Sequence, residues 1–344
     1  MTNYQYLLGR KNFDVMIGER AIPEPANNQV LVRVLACGVC GTDIHILKNF
    51  TEYTPLGHEI SAIAVKTGAS VTKVHAGDQV IVEDVTYCGT CENCKNGRID
   101  LCRNMYTLQD QSGMGEYLLV HENMLVPANG IDPVAACLTE PLTISVTTYL
   151  AAHLPPEGNL VIFGIGVLGI MCAALARHYG AGKVVCVGSN PGSARNARRE
   201  TAAMEMGADA VFYTSDPDFK RKISELTNKR ADAVIVTSPP KTIPMAMEVA
   251  GYGTPIVTIG LDMGAQSSVQ LDIDRLIFNK NSIIPVFGEP ERRFPLSLKL
   301  LRNKIIDADK LITDRFSINT AASSLKNIFS EDKGVIKAVL VNKS

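Results

Sequence analysis

LVIFGIGVLGIMCAALARHYG, residues 160–180, changes character twice within a short span. Leu160–Phe163 is a continuous apolar run of strand type. Gly164-Ile165-Gly166-Val167-Leu168-Gly169 is a Gly-x-Gly-x-x-Gly turn, and Gly169–Tyr179 has the texture of a helix. Glycines at these positions allow a tight turn and let a pyrophosphate approach the backbone, where it rests on the helix N-terminus. A glycine turn alone says little; between a strand and a helix it predicts a dinucleotide site. Outward from it, Val184–Val187, Ala210–Tyr213, Ala233–Val236 and Pro255–Ile259 read as buried strands, with helical stretches such as Ala194–Met206 between them. This alternation implies a doubly wound parallel sheet of the Rossmann type over residues 150–285.

The flanks read differently. From Val30 to Val126 the chain carries short Val/Ile runs, namely Val30–Leu35, Ile60–Val65, Val80–Val82 and Tyr117–Val120, with turn signals at Gly68 and Gly77-Asp78. Such spacing predicts a mainly antiparallel β domain. Pro141–Ala152 reads as a helix, broken by Pro155-Pro156-Glu157-Gly158, and beyond Val286 a helix (Phe294–Arg302) and a last strand (Ile336–Val341) follow. A chain of 344 residues, 46% hydrophobic and 20% charged, can bury two cores. Its formal net charge of −1 gives no reason to expect a nucleic-acid surface. The longest apolar stretch is interrupted by glycines and does not read as a membrane span. Met1–Arg10 lacks the pattern of a secretory leader, so a cytoplasmic protein is expected.

Nine cysteines in such a chain point to metal before disulfides. Cys88, Cys91, Cys94 and Cys102 form a Cys-x2-Cys-x2-Cys-x7-Cys run, with Gly89, Asn93, Asn96 and Gly97 suiting a tight loop over about residues 86–104. Four thiolates close a tetrahedral shell around zinc and leave no open position, which makes the site structural. An iron–sulfur cluster accepts the same donors. Cys37, Cys137, Cys172 and Cys186 stand in apolar runs and are expected in the core.

A second constellation is dispersed. Cys40-Gly41-Thr42-Asp43-Ile44-His45 is followed by Gly57-His58-Glu59 and, much later, Glu140-Pro141-Leu142. Each is weak alone. Together they offer a sulfur, an imidazole and carboxylates, the donor types of a catalytic zinc with an exchangeable position. Taken in order with the cysteine lobe, the glycine turn and the closing Leu311-Ile312-Thr313-Asp314-Arg315-Phe316, these motifs resemble the zinc-containing medium-chain dehydrogenases over nearly the whole chain. Glu140-Pro141-Leu142 is most similar to the sorbitol, butanediol and sugar-alcohol branch.

The resemblance implies a GroES-like catalytic domain over 1–149 and 286–344, split by the cofactor domain. It implies Cys40, His58 and Glu59 as catalytic zinc ligands, Glu140 at or beside the fourth position in exchange with water, and Thr42 and His45 as a proton relay. A homodimer or homotetramer is implied as well. The segment between His45 and His58 is shorter than is common in the family, which bears on the pocket and not on the ligands.

Cofactor choice is read at the end of the second strand. NAD-binding versions place an acid there for the ribose 2′-hydroxyl. Here Gly188-Ser189-Asn190 follows, and then Arg195, Arg198 and Arg199. Small residues leave room for a 2′-phosphate and arginine can bind it, so NADP(H) is expected over NAD(H), with Arg195 and Arg199 as candidates. The same arginines would also suit a solvated helix face. The expected reaction moves hydride between NADP(H) and a secondary alcohol, polyol or sugar alcohol, phosphorylated or not, with the corresponding ketone on the other side. Two alternatives are a zinc-independent NADPH quinone or enone reductase and a non-catalytic NADPH-binding protein. The apparent ligand set argues against both.

Overall fold

Residues 3–229, 231–264, 267–288, 290, 293–330 and 333–342 are described by the structure, a computed structural model. The chain forms two units, one made of Met1–Glu140, Glu289–Arg302 and Ile312–Ser344, the other of Pro141–Gly288 and Asn303–Leu311.

The first unit is built on β. Strands β1 (Asn3–Arg10) and β2 (Asp14–Ala21) form a hairpin. The main sheet uses β3 (Gln29–Gly38), β4 (Glu59–Thr67), β5 (Gln79–Val82), β6 (Tyr117–His121) and β7 (Leu125–Pro127). Two strands from the far end of the chain complete it, β14 (Ile312–Phe316) and β15 (Lys337–Val341). Their order is β7-β5-β4-β3-β15-β14, with β6 also paired to β3. Only β14 and β15 run parallel; the other pairs are antiparallel. Strand β3 is almost wholly buried because it has partners on both edges and packing on both faces. Its register sets Gly38 opposite Glu59 of β4 on one side and Val339 of β15 on the other. That places the start of β4 and the start of β15 around one point.

The second unit carries a six-stranded parallel sheet of β8 (Leu160–Phe163), β9 (Val184–Gly188), β10 (Ala210–Tyr213), β11 (Ala233–Val236), β12 (Pro255–Thr258) and β13 (Ser282–Pro285). Spatial order is β10-β9-β8-β11-β12-β13, the doubly wound order with its switch between β8 and β11. Residues of β8, β9 and β11 are buried throughout, as expected where helices cover both faces and the strands need no polar side. The fold is thus a GroES-like β unit with a Rossmann-like parallel sheet. No helix of the described residues is long and apolar enough to cross a membrane.

Candidate metal centres and cofactor turn

The cysteine lobe stands on a small ladder. Val85–Thr86 pairs antiparallel with Tyr106–Thr107 and closes the base of the loop that carries the four thiols. All four Sγ atoms lie within 4.8 Å of one another. The shorter separations are 3.5 Å for Cys91–Cys94, 3.6 Å for Cys88–Cys102, 3.9 Å for Cys91–Cys102 and 4.0 Å for Cys88–Cys94. A tetrahedron with Zn–S arms of about 2.3 Å has edges of about 3.8 Å. A disulfide would need about 2.05 Å. The spacing therefore fits a four-thiolate metal shell and none of these pairs fits a disulfide. The Thr90 hydroxyl, together with the Thr90 and Cys91 amides, donates to Cys88 Sγ and brings its pKa down to about 6. Cys94, where burial dominates, is pushed up to about 12. Donor contacts of this kind favour thiolate, the form that binds metal.

The second site collects around the strand starts. Cys40 precedes α1 (Gly41–Asn49), and Asp43 in the first turn of that helix accepts from the Cys40 amide at 2.8 Å. The other Asp43 oxygen accepts from the Gly57 amide at 2.7 Å, just before His58. One buried carboxylate thus ties both ligand-bearing segments together. Donor atoms of Cys40, His58 and Glu59 lie within 4.8 Å of one another. Glu140, at the start of α2 (Thr139–Ala151), is buried but falls outside that triad. Burial holds the Glu140 carboxyl well above the usual range, and Asp84, Glu59 and Cys40 push the same way against His58. His58 is drawn up as well: burial opposes its charge, but Cys40, Asp43 and Glu140 outweigh it. Several anions converging on one imidazole is the electrostatic form of a cation site, so the donor set fits a divalent metal.

Thr42 and His45 share one face of α1, three residues apart. The Thr42 hydroxyl lies 3.8 Å from Cys40 Sγ. His45 Nδ1 meets the Asn49 amide nitrogen at 3.2 Å. Two residues of the site were not singled out from the sequence, Asp43 and Lys337. Lys337 Nζ donates to Glu59 Oε1 at 2.6 Å and Oε2 at 2.8 Å. Cys37, Cys137, Cys172 and Cys186 are buried, and burial raises each thiol.

In the second unit the glycine turn sits at the switch between β8 and β11. Gly164 has φ +113°, and a Cβ there would strike Thr237 Oγ1. A Cβ on Gly169 would strike the Gly164 carbonyl oxygen, so helix α3 (Val167–His178) can start this close to the turn only with glycine. Ile165 is buried, whereas Gly166, Val167 and Leu168 are half-exposed. Strand β9 ends at Gly188, whose missing Cβ would lie 2.9 Å from the Tyr213 ring. Tyr213, also not singled out from the sequence, donates its hydroxyl to Glu200. Ser189 and Asn190 are exposed. Asn196 donates to the Asn190 carbonyl at 2.6 Å, and Ser193 caps α4 (Ala194–Glu205), which fixes the loop between. Arg195 and Arg198 are exposed and Arg199 is half-buried.

Residues 26–130 match the alcohol dehydrogenase GroES-like domain and residues 167–303 match the zinc-binding dehydrogenase domain. The chain is 30% identical over 305 residues to an L-threonine 3-dehydrogenase of Saccharopolyspora erythraea, covering 86% of each. It is 26% identical over 341 residues to a sorbitol dehydrogenase of Bacillus subtilis, covering 95% of this chain and 94% of that one. Among solved structures, a zinc-binding dehydrogenase of Sinorhizobium meliloti bound to NADP aligns with a TM-score of 0.86 at 26% identity, over 99% of this chain and all of that one. The chain belongs to the zinc-containing medium-chain alcohol and polyol dehydrogenases, oxidoreductases that act on CH–OH groups.

Proposed function

We propose that this protein oxidises a secondary alcohol, polyol or sugar alcohol with NADP+, and reduces the ketone in reverse, using one catalytic and one structural zinc per chain. The observation that carries this reading is the convergence of Cys40, His58 and Glu59 at the strand starts. Their separation from the four-thiol lobe supports two metals with different duties. The catalytic portion is 1–149 with 286–344, and the cofactor portion is 150–285. Zinc held by Cys40, His58 and Glu59, with Glu140 beside it, would polarise the substrate oxygen as a Lewis acid while the nicotinamide exchanges hydride with the carbon. Thr42, its hydroxyl next to Cys40, can accept the substrate proton and donate its own, and His45 passes it outward.

The polyol assignment rests on Glu140-Pro141-Leu142 and on relatives that include sorbitol and L-galactonate-5 dehydrogenases. Threonine dehydrogenases among the relatives make amino-alcohol substrates the second reading. NADP(H) is supported by Gly188 and the exposed Ser189-Asn190 at the strand end, by the nearby Arg195 and Arg199, and by the NADP-bound relative. A homodimer or homotetramer in the cytoplasm is the expected state. The test is metal analysis joined to a screen of polyols, sugar alcohols and L-threonine with both cofactors. Two zinc ions per chain, and turnover lost in Cys40→Ser with one zinc retained, are expected. Undiminished activity of Cys40→Ser would defeat the site.

A further inference from the structure

Lys337 opens β15 and is 3% exposed, and its partner Glu59 is 1% exposed. Its ammonium donates to both Glu59 oxygens and, at 2.9 Å, to the Val39 carbonyl oxygen. An ammonium has three protons, so these acceptors use its full capacity. Glu59 is confined from the other side as well. Its carboxylate lies over Gly38, directly opposite in register, where any Cβ would collide with Oε2. Both oxygens of this would-be metal donor are therefore already held by a fixed cation on another strand.

We propose that Lys337 is a positioning residue that holds the Glu59 carboxylate by both oxygens and so keeps Glu59 a displaceable zinc donor instead of a permanent one. This rests on the reading of Cys40, His58 and Glu59 as the catalytic zinc set. A catalytic zinc needs an exchangeable position. With Lys337 in place, Glu59 gives up the metal without becoming an unpaired buried charge. Without Lys337, no ion pair among the described residues would be left to Glu59, and its carboxylate would be free to occupy the exchangeable position of the metal itself.

Cobalt(II) in place of zinc tests this, because its visible spectrum reports the ligand set; subtracting the Cys40→Ser spectrum isolates this site from the lobe. Lys337→Met should change the difference spectrum, slow cobalt release to a chelator by roughly tenfold, and lower kcat more than it changes KM. The double variant Glu59→Gln/Lys337→Met should give the spectrum of Glu59→Gln alone. Lys337→Arg should keep the wild-type spectrum. If Lys337→Met does not fold, Lys337→Gln, which removes the charge but keeps hydrogen-bonding atoms, carries the same expectation. A folded Lys337→Met or Lys337→Gln protein with the wild-type spectrum and release rate overturns the proposal. So does a spectral change of equal size with and without the Glu59 carboxylate. A Cys40→Ser protein with an unaltered cobalt spectrum would instead defeat the zinc site itself, and the two failures are thereby told apart.

Discussion

Asp43 shows how much one side chain can hold at the residue scale. Its two oxygens accept from the amides of Cys40 and Gly57, just beyond the point where β3 and β4 pair, and so tie the two ligand-bearing loops that leave the sheet there. Removing the acceptor strands two amides, and each buried hydrogen bond to a charged group is worth about 1.5–3 kcal/mol. Asp43→Ala should therefore lower stability by at least about 2 kcal/mol and empty the Cys40–His58 site, leaving the lobe metal in place. Denaturant melts paired with metal counts check this; a variant that keeps both metals and full stability would show that Asp43 is not the tie. Cofactor choice is argued at the same scale. Substituting Gly188 itself would force a Cβ against Tyr213 and Ile165, so a change there mixes packing with charge. Ser189 is exposed and avoids that conflict. Ser189→Asp should repel a 2′-phosphate and accept from a ribose hydroxyl, shifting the kcat/KM ratio toward NAD+ by roughly tenfold or more, the worth of one charge-assisted bond. No change in the ratio would remove the strand end from cofactor selection.

Elements of this chain differ in how plainly they are written. Strands β8, β9 and β11 coincide with the apolar runs read from the sequence, because a parallel strand covered on both faces is apolar at every position; β10, at the sheet edge, is half-buried and its run is apolar all the same. The β1–β2 hairpin left no such mark: β2 is half-exposed or exposed along its length, so its pattern carries polar residues without clear alternation. Helix α1 was hidden as well, since Cys40-Gly41-Thr42-Asp43 has turn composition and the Asp43 bond that starts the helix is visible only in space. The metal donors were named from motif order. Lys337 was not, since it stands 278 residues from Glu59 and no local pattern joins them. The lobe, in contrast, is a self-contained element whose chemistry follows from its spacing. Part of its pH response follows from Cys88. With a pKa near 6, below the ordinary thiol value of 9.0, its ionised form favours the folded lobe fully above about 9. That contribution shrinks as pH falls and is gone below about 6, where protons also compete with metal for the sulfur. Chelator should strip the lobe metal far faster at pH 5 than at pH 8, and Cys94→Ser should reproduce the loss at pH 8. Retention that is the same at both pH values would contradict a thiolate shell.

At the scale of the whole molecule, the second unit ends on a surface that water alone suits poorly. Among the described residues β13 pairs with β12 and with no other strand, which makes it an edge strand of the sheet. Ile277 is 64%, Phe278 76% and Phe287 72% exposed on the segments flanking that strand. Scattered apolar side chains are ordinary on a surface, but several large ones beside an open strand edge mark an interaction face or an aggregation hazard. Open strand edges of this kind are usually covered or blunted, and β13 carries Ile283 and Ile284 with no charged residue. We propose a second copy of the chain as the occupant. Two-fold symmetry brings the same strand from each copy edge to edge, necessarily antiparallel, and lets one patch be its own complement. The expected state is therefore a dimer, or a tetramer if a further face joins two dimers. Phe278→Asp together with Ile277→Lys should shift the assembly to monomers while leaving both metal sites filled, because neither residue belongs to them. Sedimentation velocity across micromolar concentrations reads the result. A wild-type protein that sediments as a monomer throughout that range would show that this face is not a self-interface, and it would leave the metal and cofactor assignments untouched.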